Sequence, residues 1–141
     1  MNRPQLNIPI LVVDDDAQVR EIVVEYLKSF GFTRITHAKD SSQALKIVQD
    51  SKVPIELILS DWEMPEVNGL TLLKAVRKHP TRSQTKFIMV TSQRSMERFK
   101  ITQAAQWNVN AYIVKPFRRH ILKDKIWDVM QWSDETKKTG S

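Results

Sequence analysis

The sequence predicts an α/β fold, a three-layer sandwich in which helices cover both faces of a five-stranded parallel sheet. Five short apolar runs recur along the 141 residues, and each is followed by a stretch whose apolar residues have helical spacing. Three of these runs are almost continuous in β-branched and aliphatic residues, which is typical of strands buried on both faces. Repeated strand–helix alternation of this kind produces a parallel sheet with helices on each side.

The five apolar runs are the predicted strands. They occupy residues 8–13, 34–37, 55–59, 86–90 and 110–114. The second run is short and more polar than the others, so it is predicted to lie near an edge of the sheet. Open sheets of this class bind ligands beyond the carboxyl ends of their strands, so the residues that follow each run are candidates for chemistry.

The clearest predicted helix lies between the first two strands. Its apolar residues recur at intervals of three and four and form one stripe, which consists of Val19, Ile22, Val23, Tyr26, Leu27 and Phe30. Asp16 is placed to cap the start of this helix, and Gly31 is placed to end it. The stripe is expected to face the core.

Four further helices and the domain bounds follow from the same patterns. The second predicted helix starts at residue 41 or 42 and ends near residue 50. The third runs from Gly69 to the His79–Pro80 pair. The fourth and fifth span residues 96–106 and 118–131. The domain is predicted over residues 8–132, after an N-terminal extension over residues 1–7. Residues 133–141 are polar without periodicity and predict a flexible tail.

Composition excludes several classes of function. The absence of cysteine excludes a disulfide scaffold, thiol catalysis and cysteine-ligated metal, and favours a cytoplasmic location. Three glycines are too few for a glycine-rich phosphate-binding loop, so nucleotide sites of that type are excluded. No apolar run approaches the roughly 20 residues of a membrane span, and the N-terminal residues lack a signal-peptide core.

Acidic, hydroxyl and basic side chains stand at the carboxyl ends of four predicted strands. They are Asp14, Asp15 and Asp16 after the first strand, Asp61 after the third, Thr91 and Ser92 after the fourth, and Lys115 after the fifth. These strand ends share one edge of the sheet, so the groups are predicted to converge on one cleft. Carboxylates about 4 Å apart repel by about 4 kcal/mol at an effective dielectric constant of roughly 20, and a divalent cation relieves that repulsion. Mg²⁺ is the predicted ion, with Mn²⁺ as an alternative.

A carboxylate-bound metal beside a lysine and a hydroxyl is suited to phosphoryl transfer. The metal and Lys115 would neutralise the phosphoryl oxygens, and Thr91 can donate a hydrogen bond to one of them. The nucleophile is then a carboxylate, because the chain has no cysteine and no histidine at a strand end. Asp61 stands alone at its strand end and is the best candidate, with Asp14 and Asp15 as the acids of the metal site.

Each of these residues also has an ordinary structural explanation. An aspartate or threonine after a strand is usually a helix cap or part of a solvated loop. A Lys-Pro pair is a common loop element that can precede a helix. The combination favours a functional site, because every feature stands at the end of a different strand.

Four motifs at these positions resemble the receiver domains of two-component response regulators. They are LVVDD at residues 11–15, SDWEMP at 60–65, VTS at 90–92 and YIVKPF at 112–117. The resemblance covers residues 8–132, and the combination of motifs is highly specific. It implies a flavodoxin-like (βα)5 fold with the strand order 2-1-3-4-5.

The resemblance implies a role for each acidic residue of the predicted cleft. Asp61 would accept a phosphoryl group from a phosphohistidine on a sensor histidine kinase or a histidine phosphotransfer protein. Asp15 would coordinate Mg²⁺ directly, with Asp14 alongside through water. Asp61 and the backbone carbonyl of Glu63 would complete the protein ligands.

The resemblance also implies a conformational switch. Thr91 would be the hydroxyl that follows the phosphoryl group, and Tyr112 the aromatic residue that turns inward in response. Lys115 would pair with the phosphoryl oxygens. The Lys115–Pro116 peptide bond is expected to be cis, an isomer that is accessible only before proline.

Three features depart from the usual pattern of the family. Asn68–Gly69 stands where Asp-Gly is usual before the third helix, and it keeps the turn glycine. Residues 107–110 read WNVN where a Gly-Ala pair is common, which places bulk beside the switch face. Glu63 and Gln93 occupy positions that commonly tune hydrolysis of the acyl phosphate, so the sequence leaves the lifetime of the phosphorylated state open.

A phosphorylation switch is the leading hypothesis for the function. No DNA-binding or catalytic domain follows residue 132, so we expect a stand-alone regulator. Its output would be a contact with another protein. Chemotaxis or motility is a candidate pathway. Such a regulator catalyses only its own phosphoryl transfer and slow autodephosphorylation.

The alternative is a pseudo-receiver that binds partners without phosphorylation, and retention of Asp15, Asp61, Thr91 and Lys115 argues against it. A haloacid dehalogenase type of phosphatase is disfavoured because no insertion is long enough for a substrate-selecting cap.

The net charge of +6 is unevenly distributed. Residues 77–125 contain 12 basic and 2 acidic residues, whereas residues 1–76 contain 8 and 11. The basic stretch covers the fourth helix, fifth strand and fifth helix, which form the usual output and dimer face of receiver domains. An acidic protein is therefore the expected output partner, with nucleic acid a minor alternative, and a phosphorylation-dependent homodimer stays open.

Overall fold

Five β-strands and five α-helices alternate along the computed structural model, which describes residues 2–92 and 98–134. The strands are β1 (Ile10–Val13), β2 (Ile35–Ala38), β3 (Leu57–Asp61), β4 (Lys86–Thr91) and β5 (Ala111–Val114). The helices are α1 (Ala17–Ser29), α2 (Ser41–Gln49), α3 (Gly69–Lys78), α4 (Arg98–Gln106) and α5 (Arg119–Met130). The predicted alternation is confirmed. The predicted start of the fourth helix at Met96 lies outside the described residues.

All five strands are parallel, and their order in the sheet is β2-β1-β3-β4-β5. Both the α/β fold class and the strand order implied by the resemblance are confirmed. Asp61 lies opposite Val90, and Thr91 lies opposite Val114. The carboxyl ends of β3, β4 and β5 therefore lie along one edge of the sheet.

Alternate strand residues pack on opposite faces of the sheet. Val12 and Leu59 belong to a buried cluster with residues of α1 and α5. Leu11 and Ile58 belong to a second buried cluster with residues of α2 and α3. Because both faces are covered, consecutive strand positions are apolar, which explains the continuous runs in the sequence. β2 lies at an edge as predicted, and two of its four residues are exposed.

Two strands are displaced from their predicted positions. β2 covers Ile35–Ala38 where residues 34–37 were predicted, and β3 covers Leu57–Asp61 where 55–59 were predicted. Pairing with β1 sets both bounds, because Ile10 lies opposite both Ile35 and Leu57. As a consequence, Asp61 is the last residue of β3.

The buried stripe of α1 is narrower than predicted. Val23 and Leu27 are buried, but Ile22 leaves 47% of its surface exposed. Ile22 lines a surface groove together with Lys115 and Pro116. The prediction that Ile22 faces the core is wrong, because spacing alone does not distinguish the centre of an apolar stripe from its margin.

A buried arginine in the loop before β4 fixes the end of α2. Arg82 is only 4% exposed. Its guanidinium donates hydrogen bonds to the carbonyl oxygens of Val48 at 2.6 Å, Asp50 at 2.7 Å and Val53 at 2.7 Å. Arg82 therefore caps the C-terminus of α2 and ties together the loops that lead into β3 and β4.

The segments before β1 and after α5 contact each other. The amide of Asn2 donates to the carbonyl of Gln131 at 3.0 Å, and the amide of Ser133 donates to the carbonyl of Asn2 at 2.8 Å. The predicted domain bounds at residues 8 and 132 stay predictions, and residues 135–141 of the predicted tail lie outside the described residues. Within the described part of the chain, no helix is long and apolar enough to span a membrane.

Candidate functional site

A cleft at the carboxyl edge of the sheet gathers three aspartates and a lysine. Asp14 and Asp15 follow β1, Asp61 ends β3 and Lys115 follows β5. One carboxylate oxygen from each aspartate lies within 4.8 Å of those of the other two. Asp14 is 3% exposed and Asp61 is 5% exposed, whereas Asp15 is open to solvent. The structure thus brings together four of the residues that the sequence places at strand ends, namely Asp14, Asp15, Asp61 and Lys115.

The loop between β1 and α1 orients Asp14. Its Oδ1 accepts a hydrogen bond from the Asp16 amide at 2.9 Å, and its carbonyl oxygen accepts one from Arg20 at 2.8 Å. The carboxylate of Asp16 accepts from the Gln18 amide at 2.9 Å and caps α1, as predicted. Asp16 therefore serves the helix, which leaves Asp14 and Asp15 for the cleft. The contribution of Arg20 was missed, because nothing in the sequence marks a contact from the first turn of α1 back to the strand end.

Lys115 neutralises part of the acidic cluster. Its Nζ lies 3.0 Å from Asp14 Oδ2 and 3.3 Å from Asp61 Oδ1. Burial disfavours the charged form of Lys115, but its bonds to the two carboxylates outweigh burial and raise its pKa. The Lys115–Pro116 peptide bond is cis, as the resemblance implies.

Burial raises the pKa of Asp61 from 3.8 to about 6, with the negative charge of Asp14 acting in the same direction. Lys115 opposes this shift but does not cancel it. A carboxylate with a raised pKa binds a proton more tightly than a free one. Without a further cation in the cleft, its negative charge is only partly balanced. A new positive charge beside Asp61 would therefore favour its ionised form.

Thr91 and Tyr112 lie on the two strands beyond Asp61. Thr91 is fully buried at the end of β4, and its hydroxyl donates to the carbonyl of Ser92 at 3.3 Å. Tyr112 is half-buried in β5, and its hydroxyl donates to the carbonyl of Ile101 in α4 at 3.0 Å. Burial also raises the pKa of Tyr112. Tyr112 therefore connects β5 to the middle of α4.

Glu63 extends from the loop after β3 towards α4. Its side chain is exposed, and Oε1 lies 3.4 Å from Nζ of Lys100. The sequence did not predict this ion pair, because the two residues are far apart along the chain. Gln93, the second position expected to tune acyl-phosphate hydrolysis, lies outside the described residues.

Comparison with known proteins agrees with this geometry. Residues 10–127 match the family described as the response regulator receiver domain. The chain belongs to this family. It is 36% identical over 122 residues to the chemotaxis protein CheY of Pseudomonas aeruginosa, covering 86% of this chain and 95% of CheY. It is 37% identical over 120 residues to CheY-3 of Vibrio cholerae, covering 85% and 89% of the two chains.

Solved structures of receiver domains share the fold. The structure of CheY4 of Vibrio cholerae has a TM-score of 0.77 and 26% identity, covering 87% of this chain and 98% of CheY4. A CheY-like receiver domain from Methanospirillum hungatei has a TM-score of 0.79 and 26% identity, covering 89% and 94% of the two chains. Receiver domains are signalling switches rather than enzymes that turn over a separate substrate.

The acidic cleft of this receiver domain fits a divalent cation. The three ionised carboxylates and the ammonium of Lys115 carry two net negative charges, which one divalent ion balances. The donors are all carboxylate oxygens, and the exposure of Asp15 leaves room for water ligands, a combination that suits Mg²⁺. Asp14, Asp15 and Asp61 are the side chains that would hold such an ion.

Asp61→Asn is expected to stabilise the metal-free protein at neutral pH. Between pH values of about 4 and about 6, the folded state retains a proton on Asp61 that the unfolded chain has lost. Stability therefore falls as the pH rises through this window, and the loss is complete above about pH 6. Removing the carboxylate should raise the free energy of unfolding by about 1–3 kcal/mol near pH 7 and have little effect near pH 4.

Urea denaturation in the presence of a chelator, on either side of that pH window, measures this difference. The difference between wild type and Asp61→Asn isolates Asp61, because the other carboxyl groups titrate in both proteins. An equal effect of the substitution at both pH values would contradict the raised pKa of Asp61.

Proposed function

We propose that the chain is a stand-alone response regulator that accepts a phosphoryl group on Asp61. The donor is a phosphohistidine of a sensor histidine kinase or a histidine phosphotransfer protein. One observation carries the proposal: Asp61 is buried at the end of β3, within 4.8 Å of two further carboxylates and 3.3 Å from the ammonium of Lys115. Chemotaxis is the proposed pathway, because the relatives named above are chemotaxis proteins, and the cytoplasm is the proposed location.

In the transfer step, a carboxylate oxygen of Asp61 forms a bond to phosphorus as the bond from phosphorus to the donor imidazole breaks. The imidazole leaves with the electron pair and takes up a proton. Asp14, Asp15, Asp61 and the backbone carbonyl of Glu63 would hold Mg²⁺, which when bound supplies positive charge to the phosphoryl oxygens. Lys115 supplies a further positive charge beside Asp61.

The signal then passes through the strands beside Asp61. Thr91 is buried at the end of the adjacent strand, and Tyr112 on the next strand is bonded to α4. In the proposed switch, the hydroxyl of Thr91 turns to the phosphoryl group, and Tyr112 moves in the space that this frees. The bond between Tyr112 and Ile101 would then break, and α4 would take a second arrangement.

Incubation with acetyl phosphate and Mg²⁺, followed by a phosphate-affinity gel, tests the proposal. Wild type is expected to give a retarded band that disappears in Asp61→Asn and on addition of a chelator. Asp16→Asn is the matched control. Asp16 lies in the same loop as Asp14 and Asp15, but its side chain caps α1, so this substitution should leave the retarded band in place. A wild type that shows no retarded band would overturn the proposal. Equal affinity for a partner before and after phosphorylation would favour the pseudo-receiver alternative.

The groove beside Lys115 is the proposed contact for the phosphodonor protein. It has a volume of about 180 Å³ and is lined by Val19, Ile22, Val23, Tyr26, Lys115, Pro116 and Phe117. Lys115 belongs both to this groove and to the cluster around Asp61. A donor helix that places its phosphohistidine at Asp61 would therefore bury Ile22, which is otherwise exposed.

Ile22→Glu is expected to slow phosphorylation by a donor protein by about tenfold, which corresponds to about 1.4 kcal/mol. The rate with acetyl phosphate should stay unchanged, because a small donor needs no contact with the groove. Ile121→Glu on α5 is the matched control, since Ile121 is also an exposed isoleucine on a helix. Single-turnover rates with a phosphorylated kinase fragment and with acetyl phosphate separate these effects. Equal slowing with both donors would contradict the proposed contact.

A further inference from the structure

The corner between the C-terminal half of α3 and the loop after α4 combines basic side chains with a tryptophan. We define the α3–α4 corner as Lys74, Arg77, Lys78 and Trp107. Lys78 is exposed, and the other three residues are partly buried. None of the four belongs to the cleft around Asp61 or to the groove beside Lys115.

Arg77 holds the backbone of the corner in place. Its guanidinium donates to the carbonyl oxygens of Trp107 (3.2 Å), Ser83 (3.1 Å), Thr85 (2.6 Å) and Asn108 (2.8 Å) and to Asn110 Oδ1 (3.0 Å). These bonds join α3, the loop before β4 and the loop after α4. They also explain how the bulkier WNVN segment at residues 107–110 fits where a Gly-Ala pair is common in the family. Within this segment, Asn108 lies in the left-handed region at a φ of 58°. The position of Trp107 is therefore fixed before any partner binds.

Two lysines stand over the ring of Trp107. Nζ of Lys74 lies 5.5 Å from the ring centroid, and Nζ of Lys78 lies 5.2 Å from it. The lysines are one helical turn apart on α3, so their ammonium groups form a pair beside one aromatic surface. Among the residues that the structure describes, neither lysine forms an ion pair with a carboxylate.

Negative charge is sparse around this corner. Between residues 67 and 123 the sequence contains a single acidic residue, Glu97, which lies outside the described residues. α3 and the described part of α4 therefore carry no carboxylate. Residues 68–78 and 98–110 together contain five basic residues and no acidic residue.

The basic residues of α5 are more compensated than their number suggests. Lys123 pairs with Asp134 at 3.7 Å, and Lys125 lines a depression with Asp128. Arg119 turns towards α1, where it bonds to Ser29 and lies over the ring of Phe30. Lys74 and Lys78, by contrast, are two neighbouring lysines that pair with no carboxylate in the described part of the chain.

We propose that the α3–α4 corner is a docking surface for an acidic segment of a protein partner. The segment would present two carboxylates about one helical turn apart, roughly 5–6 Å, to match Lys74 and Lys78. Its apolar atoms would pack on the exposed part of Trp107. Because Arg77 fixes the corner beforehand, little ordering of the receiver domain opposes binding. This docking surface is independent of phosphorylation at Asp61.

The chemistry of the corner favours a protein over nucleic acid. Arg77 directs its hydrogen bonds to five acceptors within the chain and is not available for bidentate contact with a phosphate. Lys74 and Lys78 could neutralise only a pair of phosphates, whereas nucleic-acid binding proteins commonly neutralise about 6–10. A pair of partner carboxylates matches the pair of ammonium groups.

The test uses a short synthetic helical peptide in which glutamates stand one turn apart. Binding to the unphosphorylated full chain is measured by fluorescence anisotropy near physiological salt. The variant with Lys74→Glu and Lys78→Glu is expected to lose at least about tenfold in affinity. The matched control is Arg118→Glu, at the N-cap of α5, combined with Lys125→Glu within α5. It changes the charge equally and should alter the affinity by less than about twofold. Thermal melts of both variants check that the fold is retained.

Two further probes decide between the possible occupants. A peptide with glutamine in place of each glutamate should not bind, and a single-stranded DNA oligonucleotide should bind more weakly than the acidic peptide. No binding of the acidic peptide by wild type, or an equal loss in the α5 variant, would overturn the proposal. Tighter binding of the DNA, with the same dependence on Lys74 and Lys78, would overturn it in favour of a nucleic-acid surface. None of these measurements needs phosphorylation, so they can fail independently of the proposed phosphoacceptor function.

Discussion

Lys115→Met is expected to lower the free energy of unfolding by about 2–4 kcal/mol at neutral pH in the absence of divalent cations. Asp14 and Asp61 are almost completely buried, and Lys115 is bonded to both of them. Removing the ammonium leaves two adjacent buried carboxylates without their bonded cation. Protonation of Asp61 limits the loss, because the pKa of this carboxyl is already raised to about 6.

A double-mutant cycle in urea with a chelator measures this coupling. Asp61→Asn added to Lys115→Met should recover most of the lost stability, because it removes one of the two carboxylates. Lys115→Arg is the control that keeps the charge. Mg²⁺ at about ten times its dissociation constant should stabilise wild type by about 1.4 kcal/mol, provided that it binds only the folded state. A loss of less than about 0.5 kcal/mol in Lys115→Met would contradict the electrostatic description of the cleft.

Arg82→Met is expected to destabilise the protein by about 3–4 kcal/mol, with no direct effect on the cleft. The substitution leaves the carbonyl oxygens of Val48, Asp50 and Val53 without their charged donor. Arg82→Lys should recover only part of the loss, because a single ammonium cannot reach acceptors that the planar guanidinium spans.

Urea denaturation compares Arg82→Met with Lys52→Met, an exposed lysine in the neighbouring loop. The control should change the free energy of unfolding by less than about 0.5 kcal/mol. Phosphorylation of Arg82→Met by acetyl phosphate, measured where the variant is folded, should equal that of wild type. Similar stability of Arg82→Met and Lys52→Met would show that the carbonyl cap contributes little.

The candidate site was largely predictable because its residues follow from position in the sheet. Asp14, Asp61, Thr91 and Lys115 each stand at the end of an apolar run, and parallel strands bring such ends to one edge. Strand bounds were less predictable, because pairing with β1 rather than local composition sets where β3 begins and ends.

Contacts between distant segments could not be predicted. In the sequence, Arg77 and Arg82 were only counted among the basic residues of the stretch 77–125, yet their guanidinium groups bind backbone carbonyls of other loops. Ile22 fits the helical spacing of α1 but lies at the margin of its buried face. The raised pKa of Asp61 likewise depends on burial and on Asp14, which only the folded arrangement provides.

The distribution of basic charge changes the expected partner surface. From the sequence, we expected the partner surface on the fourth helix, fifth strand and fifth helix. In the structure, Lys100 pairs with Glu63, and Lys123 pairs with Asp134. Lys74 and Lys78, which pair with no carboxylate in the described part of the chain, lie instead beside Trp107. We therefore separate the proposed switch, which acts through α4, from the proposed docking surface at the α3–α4 corner.

Chemical trapping of the phosphorylated residue tests the central claim most directly. Borohydride reduces an acyl phosphate to an alcohol, so a phosphorylated aspartate becomes homoserine, with one oxygen fewer and two hydrogens more than aspartate. After acetyl phosphate, Mg²⁺ and borohydride, the tryptic digest is analysed by mass spectrometry. Homoserine is expected at position 61, in the peptide that spans residues 53–74, and the peptide that contains Asp14 and Asp15 should be unmodified. Homoserine at position 14 or 15, or no homoserine in wild type, would contradict the assignment of Asp61 as the phosphoacceptor.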